Sequence, residues 1–202
     1  MTARIDKIVI SFVFSLDGQD FDVENNVWLV GDDDEVLVID APHDAAPIVD
    51  AVGGRQVRAI VLTHGHNDHI NAAVALRDAT DAPIWFHPAD RMLWDVVHPD
   101  AVPNEQLGDG TQFTIAGTTL VALHTPGHSP GSTCLHAADL NSLFTGDTLF
   151  KGGPGATGRS FSDKPTIVQS IERRLLPLPG NTVVRTGHGA ETTIGAEIDN
   201  VG

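Results

Sequence analysis

Three histidines and one aspartate are concentrated in one short segment, which reads Thr63-His64-Gly65-His66-Asn67-Asp68-His69. An apolar, strand-like run precedes this segment and a stretch with helical spacing follows it, so we expect the segment to form a turn. On a turn, unlike on a regular helix or strand, these four side chains can point at a common centre. Imidazole and carboxylate groups are ligands for Zn²⁺, and the pattern therefore predicts a metal site.

Three later segments have the same design, in which a strand end is followed by a ligand with flanking glycine. They read Thr125-Pro126-Gly127-His128, Gly146-Asp147-Thr148 and Gly187-His188-Gly189. Glycine permits tight turns and a close approach of the backbone to an ion. Together with the first segment they supply five histidines and two aspartates, which is enough for two divalent cations. A donor set without thiolate suits Zn²⁺, our first expectation, and it also accepts iron or manganese.

Two neighbouring cations have a definite chemistry. They lower the pKa of a shared water so that hydroxide exists at neutral pH, and they polarise a carbonyl group. The residues therefore predict hydrolysis by a metal-bound hydroxide, without a separate general base.

The elements that must position these ligands follow from apolar periodicity. We expect a meander of strands over residues 5–39 and a buried strand over 56–62. Further strands are expected at residues 84–86, 111–115, 118–124, 133–137, 142–144 and 182–185. Helices are expected at residues 43–52, across 70–76 with an end before Pro83, at 89–97 and at 164–175. Strands lead each half and helices follow, which argues for two packed sheets with helices on the outer faces.

Composition excludes several classes of partner. The chain has 202 residues, with 12 Lys+Arg against 27 Asp+Glu and a formal net charge of −15. This charge argues against binding of nucleic acid or an anionic membrane, and the length suits one domain over residues 1–202. The single cysteine, Cys134, and an N-terminal apolar stretch too short for a membrane span lead us to expect a cytoplasmic protein. The sequence gives no prediction of oligomeric state.

The order of these motifs resembles the metallo-β-lactamase superfamily over nearly the whole chain. Within it, residues 125–131, 144–150 and 187–195 are most similar to glyoxalase II and its short bacterial relatives. The resemblance implies an α/β (α+β) fold, a four-layer αββα sandwich in which two mixed sheets pack face to face. Asp40, at the end of a strand, matches the early structural aspartate of that family.

The resemblance also implies a role for each ligand. By position, the first cation would take His64, His66 and His128, the second would take Asp68, His69 and His188, and Asp147 would bridge them. Asp68 and Asp147 would be catalytic, with Asp68 orienting the hydroxide that bridges the metals and attacks the substrate. The implied activity is hydrolysis of a small-thiol thioester, such as S-lactoylglutathione or another acyl-thiol conjugate.

One departure from the family bears on the substrate. Full-length glyoxalase II carries a C-terminal helical domain that helps to bind glutathione, but only 14 residues follow His188 here, so we expect this domain to be absent (202 − 188). The basic groups near Asp147 are Lys151 and Arg159, in a glycine-rich loop, and we predict that they bind the carboxylate of a small anionic substrate.

Alternative functions stay open at this point. A mononuclear iron persulfide dioxygenase resembles this chain in the first motif, the later histidine and the aspartate. A lactonase is less well matched, because the family's lactonases use a tyrosine and this chain has none. A β-lactamase-like hydrolase is less well matched, because the β-lactamases of this family usually lack the bridging aspartate or alter the first motif. A metal-binding module without turnover is the last alternative.

Overall fold

The computed structural model describes residues 2–16, 19–158 and 160–202, without the side chains of residues 13–16 and 19–22. The first half of the chain forms a six-stranded sheet whose strands follow one another in chain order. Its strands are β1 (Arg4–Leu16), β2 (Gln19–Gly31), β3 (Glu35–Ile39), β4 (Gln56–Val61), β5 (Ile84–Phe86) and β6 (Glu105–Gln106). β1 to β3 pair antiparallel, whereas β3 to β6 pair parallel, so the sheet is mixed.

The second half forms another six-stranded sheet, in the order β14-β13-β10-β9-β8-β7. Its strands are β7 (Gln112–Ile115), β8 (Thr118–His124), β9 (Thr133–Ala137), β10 (Ser142–Gly146), β13 (Val183–Thr186) and β14 (Thr192–Thr193). Only the β10–β13 pair among these is parallel. A separate two-stranded ribbon joins β11 (Leu149–Phe150) to β12 (Gly153–Pro154).

Short helices connect the strands. They are α1 (Ala45–Val52), α2 (Asn67–Ile70), α3 (Ala73–Thr80), α4 (Arg91–Val97), α5 (Lys164–Ser170) and α6 (Ile194–Glu197). A 3₁₀ turn at Pro88–Asp90 leads into α4, and α5 continues as a wider π-type turn at Ile171–Leu175. Among the described residues, no helix has the length and apolar character needed to cross a lipid bilayer.

The two sheets pack face to face. Side chains alternate between the two faces of a sheet, so each sheet can bury one apolar face against the other sheet and one against helices. In β2, Trp28 and Val30 point into the interface between the sheets, where they meet Phe144 of β10. Val27 and Leu29 point the other way, toward the helices that cover the first sheet. Cys134 and Val184 likewise pack against α5 on the outer face of the second sheet. The four-layer αββα prediction is therefore confirmed.

The predicted elements match the structure closely, apart from small differences at their ends and one division. The helix expected across residues 70–76 is divided into α2, which ends at Ile70, and α3, which begins at Ala73. The helix expected from residue 43 begins at Ala45, because the Asp44 side chain caps it and His43 has a φ of 57°. The helix expected at residues 164–175 changes its hydrogen-bonding pattern after Ser170. The strands of two residues were not predicted, since they are too short to show a pattern.

Candidate metal centre

The histidine-rich segment forms the predicted turn between β4 and the first residues of α2. His64 and His66 lie on either side of Gly65, and Asp68 and His69 lie on α2 itself. Gly65 packs so closely on α4 that a Cβ atom there would lie 2.8 Å from the Cβ of Leu93. A side chain at this position would push the turn away from α4, so the glycine is needed to place the two histidines.

His128 lies on the turn between β8 and β9. Gly127, just before it, has a φ of 132°, and a Cβ there would lie 2.2 Å from the backbone nitrogen of Ile167. His124 stabilises this turn, because its Nε2 lies 2.9 Å from the Pro130 carbonyl oxygen. His128 is thereby fixed between the second sheet and the start of α5.

Asp147 and His188 follow the ends of β10 and β13, which are parallel neighbours. The carboxyl ends of parallel strands meet at one edge of a sheet, so these two side chains come together. Gly187 makes the close approach possible, since a Cβ there would lie 2.4 Å from Asp147 Oδ1 and 2.8 Å from His69 Cε1.

The structure brings all seven predicted ligands into one cluster. Its ligand atoms form three groups in which all atoms lie within 4.8 Å of one another. These groups are His64, His66 and His128; Asp68, His69 and His188; and His64, His69 and Asp147. The first two groups are the triplets that the family resemblance implies for the two cations.

Asp147 lies between the two triplets. Its Oδ1 is 3.4 Å from His69 Nε2, and its Oδ2 is 3.6 Å from both His128 Nε2 and His188 Nε2. One carboxylate oxygen therefore faces a histidine of each triplet, which is the placement that a bridging ligand requires.

The donor atoms fit divalent cations. Donors about 2.0–2.1 Å from a tetrahedral ion lie about 3.3–3.4 Å from each other. The observed separations are 2.9 Å for His66 Nδ1 and His128 Nε2, 3.0 Å for His69 Nε2 and His188 Nε2, and 3.4 Å for His188 Nε2 and Asp68 Oδ2. Among the described residues, His64 Nε2 and Asp147 Oδ1 are buried without any hydrogen-bond partner. Buried polar atoms normally have partners, and a bound cation would supply them here.

Outer hydrogen bonds determine which ring nitrogen faces the cluster. His69 Nδ1 donates to Asp40 Oδ2 at 2.9 Å, His128 Nδ1 donates to the Ala156 carbonyl at 2.8 Å, and His188 Nδ1 donates to the Glu24 carbonyl at 2.7 Å. With a proton held on Nδ1, Nε2 is the nitrogen of each ring that is left to bind a cation.

Asp40, which the family resemblance implied as a structural residue, connects two parts of the histidine-rich turn. It has a φ of 64° and is 2% exposed. Its carboxylate accepts the backbone N–H of Thr63 at 2.7 Å and the Thr63 hydroxyl at 2.9 Å, in addition to His69. The aspartate thus fixes both the entry of the turn and one of its ligands.

Burial and mutual charge set the protonation of the metal-free cluster. Burial, with the neighbouring His128, lowers the pKa of His66 to about 4, and burial also lowers the pKa of His64 well below its ordinary value. Burial would also lower the pKa of His69, but the carboxylates of Asp147 and Asp40 outweigh it and the pKa is raised. His64 and His66 are therefore neutral imidazoles near pH 7, and the neutral imidazole is the form that binds a cation.

Sequence reasoning missed Asn25, which lies beside the second triplet and is 1% exposed. Its Nδ2 is 2.8 Å from the Asp68 carbonyl oxygen and 3.3 Å from His188 Nε2, and its Oδ1 is 2.8 Å from His43 Nε2. The neighbouring Asn26 reaches the Thr186 and Gly189 carbonyls of the second sheet. A pair of adjacent asparagines inside an apolar strand is the sequence signal from which Asn25 and Asn26 could have been identified.

The loop predicted to bind substrate borders the cluster. The Phe150 ring lies 6.4 Å from that of His188, and Ala156 accepts from His128. Lys151 is exposed on the turn between β11 and β12, within this loop. Arg159 lies outside the described residues.

Each triplet draws ligands from both halves of the fold. His64 and His66 follow β4 of the first sheet, whereas His128 follows β8 of the second. Asp68 and His69 lie on α2, whereas His188 follows β13. The cluster is thus assembled only when the two sheets pack together.

Comparison with known proteins agrees with this geometry. The family model described as the metallo-beta-lactamase superfamily matches residues 21–188. The hydroxyacylglutathione hydrolase GloC of Haemophilus influenzae is 31% identical over 190 residues, which cover 86% of this chain and 90% of that protein.

Two solved structures are similar in both sequence and fold. The crystal structure of the BLEG-1 B3 metallo-beta-lactamase has a TM-score of 0.80 and 32% identity, over 88% of this chain and 92% of that one. The crystal structure of TTHA1623 in a di-iron-bound form has a TM-score of 0.75 and 31% identity, over 94% and 98%. The chain belongs to the metallo-β-lactamase superfamily of metal-dependent hydrolases.

Proposed function

We propose that this hydrolase cleaves thioesters between a small acid and a small thiol, with two divalent cations held by the seven clustered side chains. The observation that carries the proposal is Asp147, whose Oδ2 lies 3.6 Å from a histidine of each triplet. The first cation would bind His64, His66 and His128, the second would bind Asp68, His69 and His188, and Asp147 would bind both. We propose Zn²⁺ as the native ion, with iron as the alternative because a similar structure is di-iron-bound.

The chain's own residues divide the work of hydrolysis. When bound, the two cations lower the pKa of water and polarise the carbonyl of the substrate. The Asp68 side chain is 37% exposed, against 13% for Asp147, so Asp68 faces the opening of the cluster. It is placed to accept a hydrogen bond from the attacking water and so to orient it. The water oxygen adds to the carbonyl carbon, one water proton passes to the departing sulfur as the C–S bond breaks, and the products are a thiol, a carboxylate and a released proton.

Support for a thioester comes from the relative in Haemophilus influenzae, which is named as a hydroxyacylglutathione hydrolase. A β-lactam is the second candidate, because the similarity to the BLEG-1 structure covers most of both chains. The complete set of five histidines and two aspartates favours the thioester, since this set is the one that resembles glyoxalase II.

The loop that runs from Phe150 to Ala156 is the proposed substrate-binding element. It contacts a histidine of the second triplet at one end and a histidine of the first at the other. Lys151 is exposed within it and can reach a carboxylate of the thiol carrier. We propose the same role for Arg159 from its sequence position alone.

The test combines metal analysis with a substrate series. Protein with a measured metal content is assayed against S-lactoylglutathione, acyl conjugates of other small thiols, and a chromogenic β-lactam. We expect two equivalents of metal per chain and turnover of at least one thioester. His66→Ala and Asp147→Ala should each lower kcat/KM by more than about 100-fold. One equivalent of iron, with oxygen uptake on a persulfide, would instead establish the dioxygenase alternative.

The role of the loop has its own control. Lys151→Gln should raise KM with little change in kcat, because the lysine would bind the carrier and not the reacting carbonyl. Lys164→Gln removes an exposed lysine at the start of α5 and should leave both constants unchanged. Equal effects of the two substitutions would contradict a specific role for Lys151.

A further inference from the structure

Asp90 is a buried carboxylate outside the seven-residue cluster. It is 0% exposed and lies at the end of the 3₁₀ turn that leads into α4. An aspartate just before a helix ordinarily accepts a hydrogen bond from the first N–H groups of that helix. Within the described part of the chain, the Asp90 side chain makes no such cap. Its oxygens are used elsewhere.

Among the described residues, the three donors to Asp90 come from the two turns that carry the first triplet. Its Oδ2 accepts the Gly65 N–H at 2.8 Å and the Ser129 hydroxyl at 2.6 Å, and its Oδ1 accepts the Gly131 N–H at 2.6 Å. Gly65 lies between His64 and His66, and Ser129 follows His128. One carboxylate therefore joins the turn after β4 to the turn after β8.

The surrounding glycines make this junction possible. A Cβ at Gly131 would lie 2.7 Å from Asp90 Cγ, and a Cβ at Gly65 would lie 3.0 Å from Asp90 Cβ. Ser132 completes the junction, because its hydroxyl accepts the Ser129 N–H at 3.0 Å. The arrangement is a closely fitted site for one carboxylate, with no room for a larger side chain at either glycine.

We infer that Asp90 is a positioning residue for the first cation and that it sets the spacing of His64, His66 and His128. The second triplet has other supports, namely Asp40 on His69 and the Glu24 carbonyl on His188. Loss of the Asp90 carboxylate is therefore expected to weaken one cation site selectively. The inference rests on the two-cation function proposed above.

The substitution Asp90→Asn tests the role with little change in shape. An asparagine keeps one oxygen, but its amide nitrogen must face either the Gly65 N–H or the Gly131 N–H. Both are donors, so one of these two hydrogen bonds is lost and its N–H meets a second donor instead. Asp95→Asn is the matched control, because Asp95 is exposed on α4 and pairs only with exposed Arg91 among the described residues.

The experiment titrates metal-free wild-type, D90N and D95N proteins with Zn²⁺ against a competing chelator. Visible absorption of Co²⁺-loaded protein reports the coordination at each site. We expect two equivalents at the wild-type affinity for D95N. For D90N we expect one equivalent at the wild-type affinity and one weakened by about 10- to 100-fold. Circular dichroism of the metal-free variants verifies that both are folded.

Two results would overturn the inference. In the first, D90N binds both equivalents as the wild type does. In the second, D90N weakens both sites equally, which would mean a general structural role. If D90N does not fold, Ser129→Ala decides the question in the same titration. It removes one of the three hydrogen bonds and should weaken one site by about 3- to 10-fold, whereas no change or equal weakening of both sites would overturn the inference.

A failure of the proposed function is distinguishable from these results. A wild-type protein that binds a single equivalent would overturn the two-cation function. In that case, weakening of this equivalent by D90N but not by D95N would still support the role of Asp90, and an unchanged affinity would overturn it.

Discussion

The substitution Asp40→Asn should damage the second cation site while it leaves the fold intact. Asparagine tolerates the φ of 64° at this position and has nearly the same shape as aspartate. Its amide oxygen can keep the hydrogen bond from the Thr63 N–H, which places the amide nitrogen where Oδ2 now accepts from His69 Nδ1. Because that nitrogen is a donor, His69 must give up its Nδ1 proton and carry the proton on Nε2 instead.

The size of the effect follows from this change of tautomer. His69 Nε2 faces the cluster, and it can bind a cation only after the proton returns to Nδ1. The Nδ1–H then points at the N–H of the asparagine, so a buried hydrogen bond is lost and a buried donor is left unpaired. Such a loss costs about 2–4 kcal/mol. At about 1.4 kcal/mol for each factor of ten, affinity at the second site should fall by about 30- to 700-fold.

The assay is a chelator competition with Zn²⁺, in which the two binding constants are fitted separately. Asp50→Asn, an exposed substitution on α1, provides the control for removal of one negative charge. Two equivalents bound by D40N at the wild-type affinity would refute the tautomer argument. A loss of the same size in D50N would show that general electrostatics, and not hydrogen bonding, governs the affinity.

Three further predictions concern the whole protein. Removal of the metal with a chelator should lower Tm by about 5–10 °C for each site, when the free metal concentration had been about 100 times the Kd of that site. Differential scanning calorimetry measures the shift, and the absence of a shift would contradict the assignment of the cluster as a metal site. Metal affinity should rise with pH near neutrality, because the pKa values of His188 and His69 are both raised. Burial lowers each pKa, but the neighbouring groups, chiefly Asp68 for His188 and Asp147 for His69, together raise it by more. These histidines then carry protons that the metal must displace, and calorimetry in buffers of different ionisation enthalpy should detect proton release. Burial raises the pKa of the Cys134 thiol to about 11, so a thiol reagent at pH 8 should react with denatured but not with native protein.

The seven clustered side chains were predictable because their types and positions carry the information. Each follows a strand end and has glycine nearby, and strand ends that point the same way meet in space. The fold was predictable for a related reason, since strands such as β2 and β3 alternate between two buried faces.

The groups that orient the ligands were much harder to find. The Glu24 and Ala156 carbonyls belong to the backbone, so no residue type marks them. Asp90 stands just before a helix, where an aspartate is expected as a cap, and its contacts with Gly65 and Gly131 come from distant parts of the chain. Only Asp40 could be placed in advance, through the family resemblance.

The sharing of ligands between the two sheets would also give each proposed cation the role of a cross-link. His66 and His128 are separated by 62 positions in the sequence, and His69 and His188 by 119. A disulfide that closed a loop of about 100 residues would stabilise a protein by about 4.7 kcal/mol in the chain-entropy model, and a cation that joins these histidines restricts the unfolded chain in the same way. The chain has one cysteine and cannot form an intramolecular disulfide. A chelator should therefore destabilise this protein as a reductant destabilises a secreted protein with disulfides, because it removes the cross-links between the two halves of the fold.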